Sequence, residues 1–320
     1  MAKGETMLAA LSFTPSESKR LIAKGVAAMP AVQLALSQGQ VVIAHGSTDV
    51  YVAEELLGCC PQREQFLSGQ IINGVLCQTS PEEKPAIIRV AGGQLMSPKP
   101  TMEETLRDFT ATDVFIKGAN AVDPQGNAGV LCAHPAGGTI GFAYGIISAR
   151  GLQLIVPVGL EKLVASVPEA ARYLGQERLY YHSGLKVGML TITNGMVITE
   201  IQALQILFGV RAVHVGGGGV NGSEGTVVIA IEGEKSQLDD AIRLYERIKG
   251  EPPLQPQKAY CLNCLPTTPS MTKTKTEQFS GEERRYCMYQ GSREDELPDF
   301  FRRRTPIGEY DGGKRSTRGS

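Results

Sequence analysis

Tryptophan is absent from the 320 residues, and histidine occurs only four times. A site built on several imidazoles is therefore hard to assemble, and each histidine has to be weighed alone. A charge balance of one sign is missing too: 32 Lys and Arg face 33 Asp and Glu, a formal charge of −1. No global field steers the chain to nucleic acid or to a membrane surface, so neither is an expected partner, although a basic excess collects after Leu254. Long apolar runs are lacking, with none near the ~20 residues of a membrane span. Met1 to Lys24 contains neither a continuous apolar stretch nor a cleavage motif. The seven cysteines are odd in number and include the adjacent pair Cys59 and Cys60, unlike a secreted disulfide framework. These features together point to the cytoplasm.

What the chain does have is glycine, 37 residues of it, in a sequence that is 42% hydrophobic. The glycines cluster where apolar runs end, as tight loops require. Thr14, Pro15 and Glu17 form a capping box ahead of Leu21, Ile22 and Val26, which predicts a helix. A second helix is expected over 31–37. Val41–Ala44 reads as a buried strand, His45–Thr48 as a turn, and Val50–Leu57 as a helix, the opening of a βαβ unit. Further strands are expected at 71–77, 86–90, 114–116 and 152–156, with helices at 101–109, after Gly137-Gly138 and over 167–174. Strands alternating with helices predict an α/β fold with a parallel sheet covered on both faces.

After Gly188 the composition changes. Strands at 190–193, 210–215 and 226–231 and helices at 200–208 and from Ser236 to Ile248 predict a small α/β lid. From Glu251 periodicity is lost and Pro, Lys, Thr, Ser, Gly and Arg dominate, so that segment is expected to be largely disordered. The domain plan is thus 1–188 for a ligand-binding parallel-sheet domain, 189–252 for the lid and 253–320 for the tail.

Gly46, Ser47 and Thr48 resemble the first loop of ribose-5-phosphate isomerase A. The run from Gly118 to Asn127, followed by Gly137 and Gly138, is similar to family I coenzyme A transferases. Val158–Val164 and Pro168–Arg172 resemble lactate-utilisation-type domains. These families share a superfamily fold with glucosamine-6-phosphate deaminase, and the likeness covers roughly residues 15–175. It implies an isomerase/CoA-transferase-like scaffold and a sugar phosphate or another small anionic metabolite as ligand. Two departures matter. Where the isomerase carries an aspartate at each end of a loop, this chain has Lys117 and Asn120. Where the transferases need a nucleophilic glutamate, Ile71–Cys77 has none. The chain reads as a divergent member.

The candidate site follows from placement at strand ends, where open α/β sheets bind ligands. His45, Gly46, Ser47 and Thr48 suit an anion at a helix start. Gly118, Gly137, Gly138 and Thr139 are further ligand-binding candidates, with His134 just upstream. Lys117, Asn120, Asp123 and Glu161 are the catalytic candidates, Lys117 as cation or base. Each also has a plainer reading. Asp123 begins a turn, Glu161-Lys162 starts a solvated helix, and the glycine loops pack helices on strands. The glycine-rich stretch 216–225 lacks the Gly-Lys-Ser/Thr of a phosphate loop, so it reads as a flap or a surface loop, and no cofactor is expected. Cys261, Cys264 and Cys287 give three thiols without a fourth ligand or a nearby histidine, so no metal is expected. Arg302–Arg304 reads as a solvated charge run. Self-association into a homo-oligomer is left open. Two functions remain: an enzyme moving a proton or a group on a phosphorylated or carboxylated metabolite, or a regulatory protein that only binds one.

Overall fold

The computed structural model describes residues 6–264 and 287–303. Its strands, in chain order, are β1 (Thr6–Phe13), β2 (Gln40–Ile43), β3 (Gly69–Ile72), β4 (Val75–Gln78), β5 (Ile88–Ala91), β6 (Gln94–Met96), β7 (Val114–Ile116), β8 (Ala121–Val122), β9 (Ala128–Cys132), β10 (Gln153–Pro157), β11 (Gly188–Ile192), β12 (Met196–Ile198), β13 (Arg211–Gly218) and β14 (Thr226–Glu234). The helices are α1 (Pro15–Ala27), α2 (Pro30–Gln38), α3 (Ser47–Leu57), α4 (Met102–Leu106), α5 (Gly138–Arg150), α6 (Val167–Arg172), α7 (Glu200–Phe208) and α8 (Lys235–Ile248).

The main sheet has the order β12-β10-β7-β2-β5-β6. Strands β12, β10, β7 and β2 run parallel, and the antiparallel hairpin β5–β6 extends the sheet beyond β2. The sheet is therefore mixed, with the expected parallel strands at its centre. Every residue of β7 is buried, as are Val41, Val42 and Ile43 of β2, which is why these strands are unbroken apolar runs. The capping box that starts α1 is present: Thr14 Oγ1 accepts from Glu17 N, and Glu17 accepts from Thr14 N at 2.9 Å.

Strands β6, β8, β9 and β12 have no counterpart in the sequence reading, and three further features differ from it. Thr6–Phe13 is a strand, paired antiparallel along β14 from Thr6 opposite Glu234 to Phe13 opposite Val227. With β13 these two form a separate sheet, ordered β1-β14-β13, against which α8 lays Leu238, Ala241, Leu244 and Ile248. The 189–252 segment is spread over three sheets, since β11 pairs with β9 and β12 joins the main sheet. Residues of both the main and the β14 sheets belong to one hydrophobic core. Secondly, Ile71–Cys77 is a hairpin, β3–β4, because Asn73 and Gly74 adopt φ of 50° and 77°. Positive φ at both central residues is the turn that matches strand twist, and Asn-Gly is its sequence signal. Thirdly, α8 begins at Lys235 with Glu234 as its N-cap, ahead of the expected Ser236.

The segment after Glu251, expected to be largely disordered, is seated on that hairpin where it is described. Ala259 N donates to Gln78 O at 2.8 Å, Gly291 N to Cys261 O at 2.8 Å, and Lys258 pairs with Glu294 at 2.9 Å. Leu297 and Phe301 are buried with Val75, Cys77 and Cys261. These anchors are few and far apart, so they leave no periodic trace. Residues 265–286 and 304–320, including Arg304, lie outside the described residues. Among the described residues no helix is long and apolar enough to cross a membrane.

Candidate functional site

A cavity of about 590 Å3 opens where the main parallel strands end. Loops that follow β2, β7, β9 and β10 contribute His45–Thr48, Lys117–Asn120, Gly137–Thr139 and Lys162 to its wall. The β3–β4 hairpin and Pro253, Leu254 and Pro256 supply much of the apolar remainder. Helix α3 starts at Ser47 and α5 at Gly138, so two helices of 11 and 13 residues begin at the cavity with their N-terminal amides.

Asp49, in the first turn of α3, holds the floor of this loop cluster. It is fully buried, and its Oδ2 accepts from Gly118 N at 2.9 Å. A Cβ on Gly46 would lie 2.2 Å from the same oxygen, and one on Gly118 3.2 Å from it. Both positions are therefore bare so that the two loops can close over one carboxylate. Gly118 is gripped at its other end as well, since Lys117 Nζ donates to Gly118 O at 3.0 Å. Asp49 Oδ1 is buried without a hydrogen-bond partner. Burial raises the Asp49 pKa against the opposing pull of Lys117 and the Gly118 amide. Burial lowers the Lys117 pKa, with Asp49 and Cys132 working the other way. The ammonium of Lys117 is thus easier to deprotonate than a solvated one.

Three further lysines reach the cavity, Lys19, Lys84 and Lys162. Among the described residues no Asp or Glu lines it. Lys19 has its pKa lowered to about 8, by burial first and then by Lys162, with Glu161 and Glu200 opposing. Glu161 sits behind the two lysines, 3.2 Å from Lys162 Nζ and 3.9 Å from Lys19 Nζ. Burial would raise its pKa, but Lys162 and Lys19 hold it below the usual value. His45 is the opposite case: desolvation and Lys84 and Lys117 push it down to about 4, although the Pro85 carbonyl favours its charged form. Its Nε2 lies 2.7 Å from Pro85 O, and a carbonyl partner makes that nitrogen the donor. Nδ1 is then a bare acceptor, and it is buried without a partner.

Of the residues singled out from the sequence, the structure brings His45, Gly46, Ser47, Thr48, Lys117, Gly118, Asn120, Gly137, Gly138 and Thr139 to this one cavity, and His134 with them. Asn120 is partly committed, its Oδ1 accepting from Leu131 N at 3.0 Å. Asp123 is not among the lining residues. Its Oδ1 accepts from Gln125 N and Asn127 N and closes the turn, and its Oδ2 accepts from Asn127 Nδ2 and Val167 N and ties the turn to α6. This is the turn role weighed for it. Glu161 stands behind the wall and reaches the cavity only through its lysines. Asp49, Lys19 and Lys84 were not read as site residues. Asp49 had a signal in the sequence, an acid one turn into a helix that follows Gly-Ser-Thr. Lys19 had none, because α1 is distant in sequence from every strand-end loop.

No protein family and no curated protein matches the chain. Among solved structures, one of a D-ribose-5-phosphate isomerase in complex with phospho-erythronic acid is similar at 18% identity and a TM-score of 0.23, over 69% of this chain and 83% of that one. A likeness at that level carries no argument.

Proposed function

We propose that the cavity binds a small metabolite bearing a phosphate or carboxylate, and that the protein acts on it in the cytoplasm by proton or group transfer with Lys117 as the reacting group. The observation that supports this is the charge of the wall: four lysines and no carboxylate among the described lining residues. Glu161 and Asp49 offset part of this charge from behind the wall, and the remaining excess favours an anion in the cavity. Two helix N-termini favour the same sign. The apolar share of the wall suits a ligand with some hydrocarbon surface beyond its anionic group. Burial lowers the proton affinity of Lys117, as it does that of Lys19 and Lys84, and the buried Asp49 behind Lys117 steadies its charged form.

A thermal-shift screen of sugar phosphates, acyl-CoAs and hydroxy acids tests the binding half. A ligand at a hundred times its Kd adds about 2.7 kcal/mol to stability, which raises Tm measurably. Lys117→Met keeps the aliphatic bulk and removes the charge. The expected result is a smaller Tm rise and no turnover of the best ligand. No response to any of the three classes would refute an anion site, and full turnover in Lys117→Met would remove this residue from the chemistry. The absence of a carboxylate from the described lining favours one second reading, a module that binds and does not react. It predicts weaker binding in Lys117→Met and no turnover in the unmodified protein.

A further inference from the structure

Cys77 lies on β4, and Cys261, Cys264 and Cys287 lie in the C-terminal segment, yet all four line one small cavity of about 20 Å3. That volume holds a single water or ion. Cys77 and Cys261 are buried in one hydrophobic cluster, with Cys287 packed against it. None of the four is in a disulfide. Cys261 and Cys264 flank a single 3-10 turn, with Cys264 N donating to Cys261 O at 3.4 Å. A second turn starts at Cys287, whose carbonyl accepts from Gln290 N at 3.2 Å, and Gly291 N at 2.8 Å from Cys261 O knits the two turns together.

We propose that these four cysteines are the ligands of a structural zinc ion, with Cys77 the fourth ligand that the spacing of the other three leaves out. Cys-x-x-Cys on a tight turn, joined by two thiols from elsewhere, is the donor set of a closed tetrahedral site. The surroundings fit its charge. A tetrathiolate zinc site carries two negative charges, and the buried Lys258 places Nζ 3.4 Å from Cys261 Sγ. Gln78 Nε2 stands 3.8 Å from Cys264 Sγ as a second donor. Such contacts outside the ligand shell orient thiolates and spread their charge. Among the described residues, these four cysteines included, no group of three or more His, Cys, Asp or Glu is placed to hold a metal ion as it stands. Zinc–sulfur bonds of about 2.3 Å put tetrahedral sulfurs about 3.8 Å apart. The proposal therefore requires the thiols to turn inward on the ion as they lose their protons. Its effect is structural: the ion pins 258–264 and 287–303 to the β3–β4 hairpin, which forms one wall of the larger cavity.

The test uses the full-length chain, purified reduced from zinc-supplemented medium. Elemental analysis should find one zinc per chain. After removal of zinc by a chelator, Co2+ should give the strong thiolate-to-metal bands and visible bands of a tetrahedral tetrathiolate site. Cys77→Ser and Cys264→Ser should each lower metal affinity at least tenfold, while Cys59→Ser, at an exposed cysteine outside the cluster, should leave it unchanged. Zinc at the level of a blank, a pale octahedral cobalt spectrum, or full zinc retention in Cys77→Ser each overturns the assignment. If a serine variant fails to fold, the cobalt spectrum of the unmodified chain decides alone.

Discussion

Glu200 opens α7 with its carboxylate fully buried. It accepts from Leu160 N at 2.9 Å and feels the charges of Glu161 and Lys19. Burial, then the charge of Glu161, raises its pKa from 4.5 to about 7. The unfolded chain has the ordinary value, so between pH 4.5 and 7 the folded state holds the proton that the unfolded state has released. Stability from this group is fully present below pH 4.5, falls as pH rises through about 7, and is flat above. At about 1.4 kcal/mol per pH unit, the loss is on the order of 3 kcal/mol. Glu200→Gln is neutral at every pH and keeps an oxygen for Leu160 N. Urea unfolding of both proteins, followed by circular dichroism at steps from about pH 5 to 8, isolates the group. Taking the difference cancels Glu17, whose lowered pKa acts in the opposite direction. The Glu200→Gln substitution should leave stability nearly unchanged at the acid end and raise it by up to about 3 kcal/mol at the alkaline end. A pH-independent offset, or a gain that shrinks with pH, would refute the reasoning.

Other outcomes follow from the same geometry. Gly46→Ala drives a Cβ to within 2.2 Å of Asp49 Oδ2 and should cost about 1–3 kcal/mol by calorimetry while weakening anion binding; if it costs as much in an Asp49→Ala background, the clash is not the cause. Anion affinity measured by titration calorimetry should decline above about pH 8 as Lys19 loses its proton, and Lys19→Met should remove that decline; a limb that persists belongs to another group. Asp123→Ala strands four donors and should lose about 3 kcal/mol or more in urea while the residual native protein binds ligand normally; a loss below about 0.5 kcal/mol would mean that the turn does not need it. Replacing both Ser47 and Thr48 by Ala should reduce anion affinity tenfold or more with about 1 kcal/mol of stability lost, and unchanged affinity would take the hydroxyls out of the site.

The sequence made the central strands β2, β7 and β10 legible because each is a short buried apolar run, and that pattern, together with the resemblance at Gly46–Thr48, Gly118–Asn127 and Gly137-Gly138, marked ten residues that line one cavity. It was silent where partners are remote. The pairing of β1 with β14 leaves no local signal, since an eight-residue strand at the start of a chain looks like any short apolar stretch. The hairpin at Asn73-Gly74 did carry its signal, but the apolar residues on both sides of it, Ile71-Ile72 and Val75–Cys77, read together as one strand. Asp123 shows the limit for chemistry: an acid next to a candidate lysine looks reactive until both its oxygens are found bound to backbone and amide. Cys77 stands 184 positions from Cys261, so spacing could not join them.

The pairing of β1 with β14 also has a consequence in time. During synthesis Thr6–Phe13 leaves the ribosome more than two hundred residues before its partner Val227–Glu234. At ordinary elongation rates that interval is on the order of ten to forty seconds. Throughout it the nascent chain carries an apolar strand with an open hydrogen-bonding edge, the kind of segment that chaperones hold and that pairs with copies of itself on neighbouring ribosomes. The cavity wall waits as long, because Pro253–Pro256 come later still. A chain stalled before that point would already display its glycine loops and its lysines but would lack this apolar part of the wall, so ligand affinity would rise only once Pro256 had emerged.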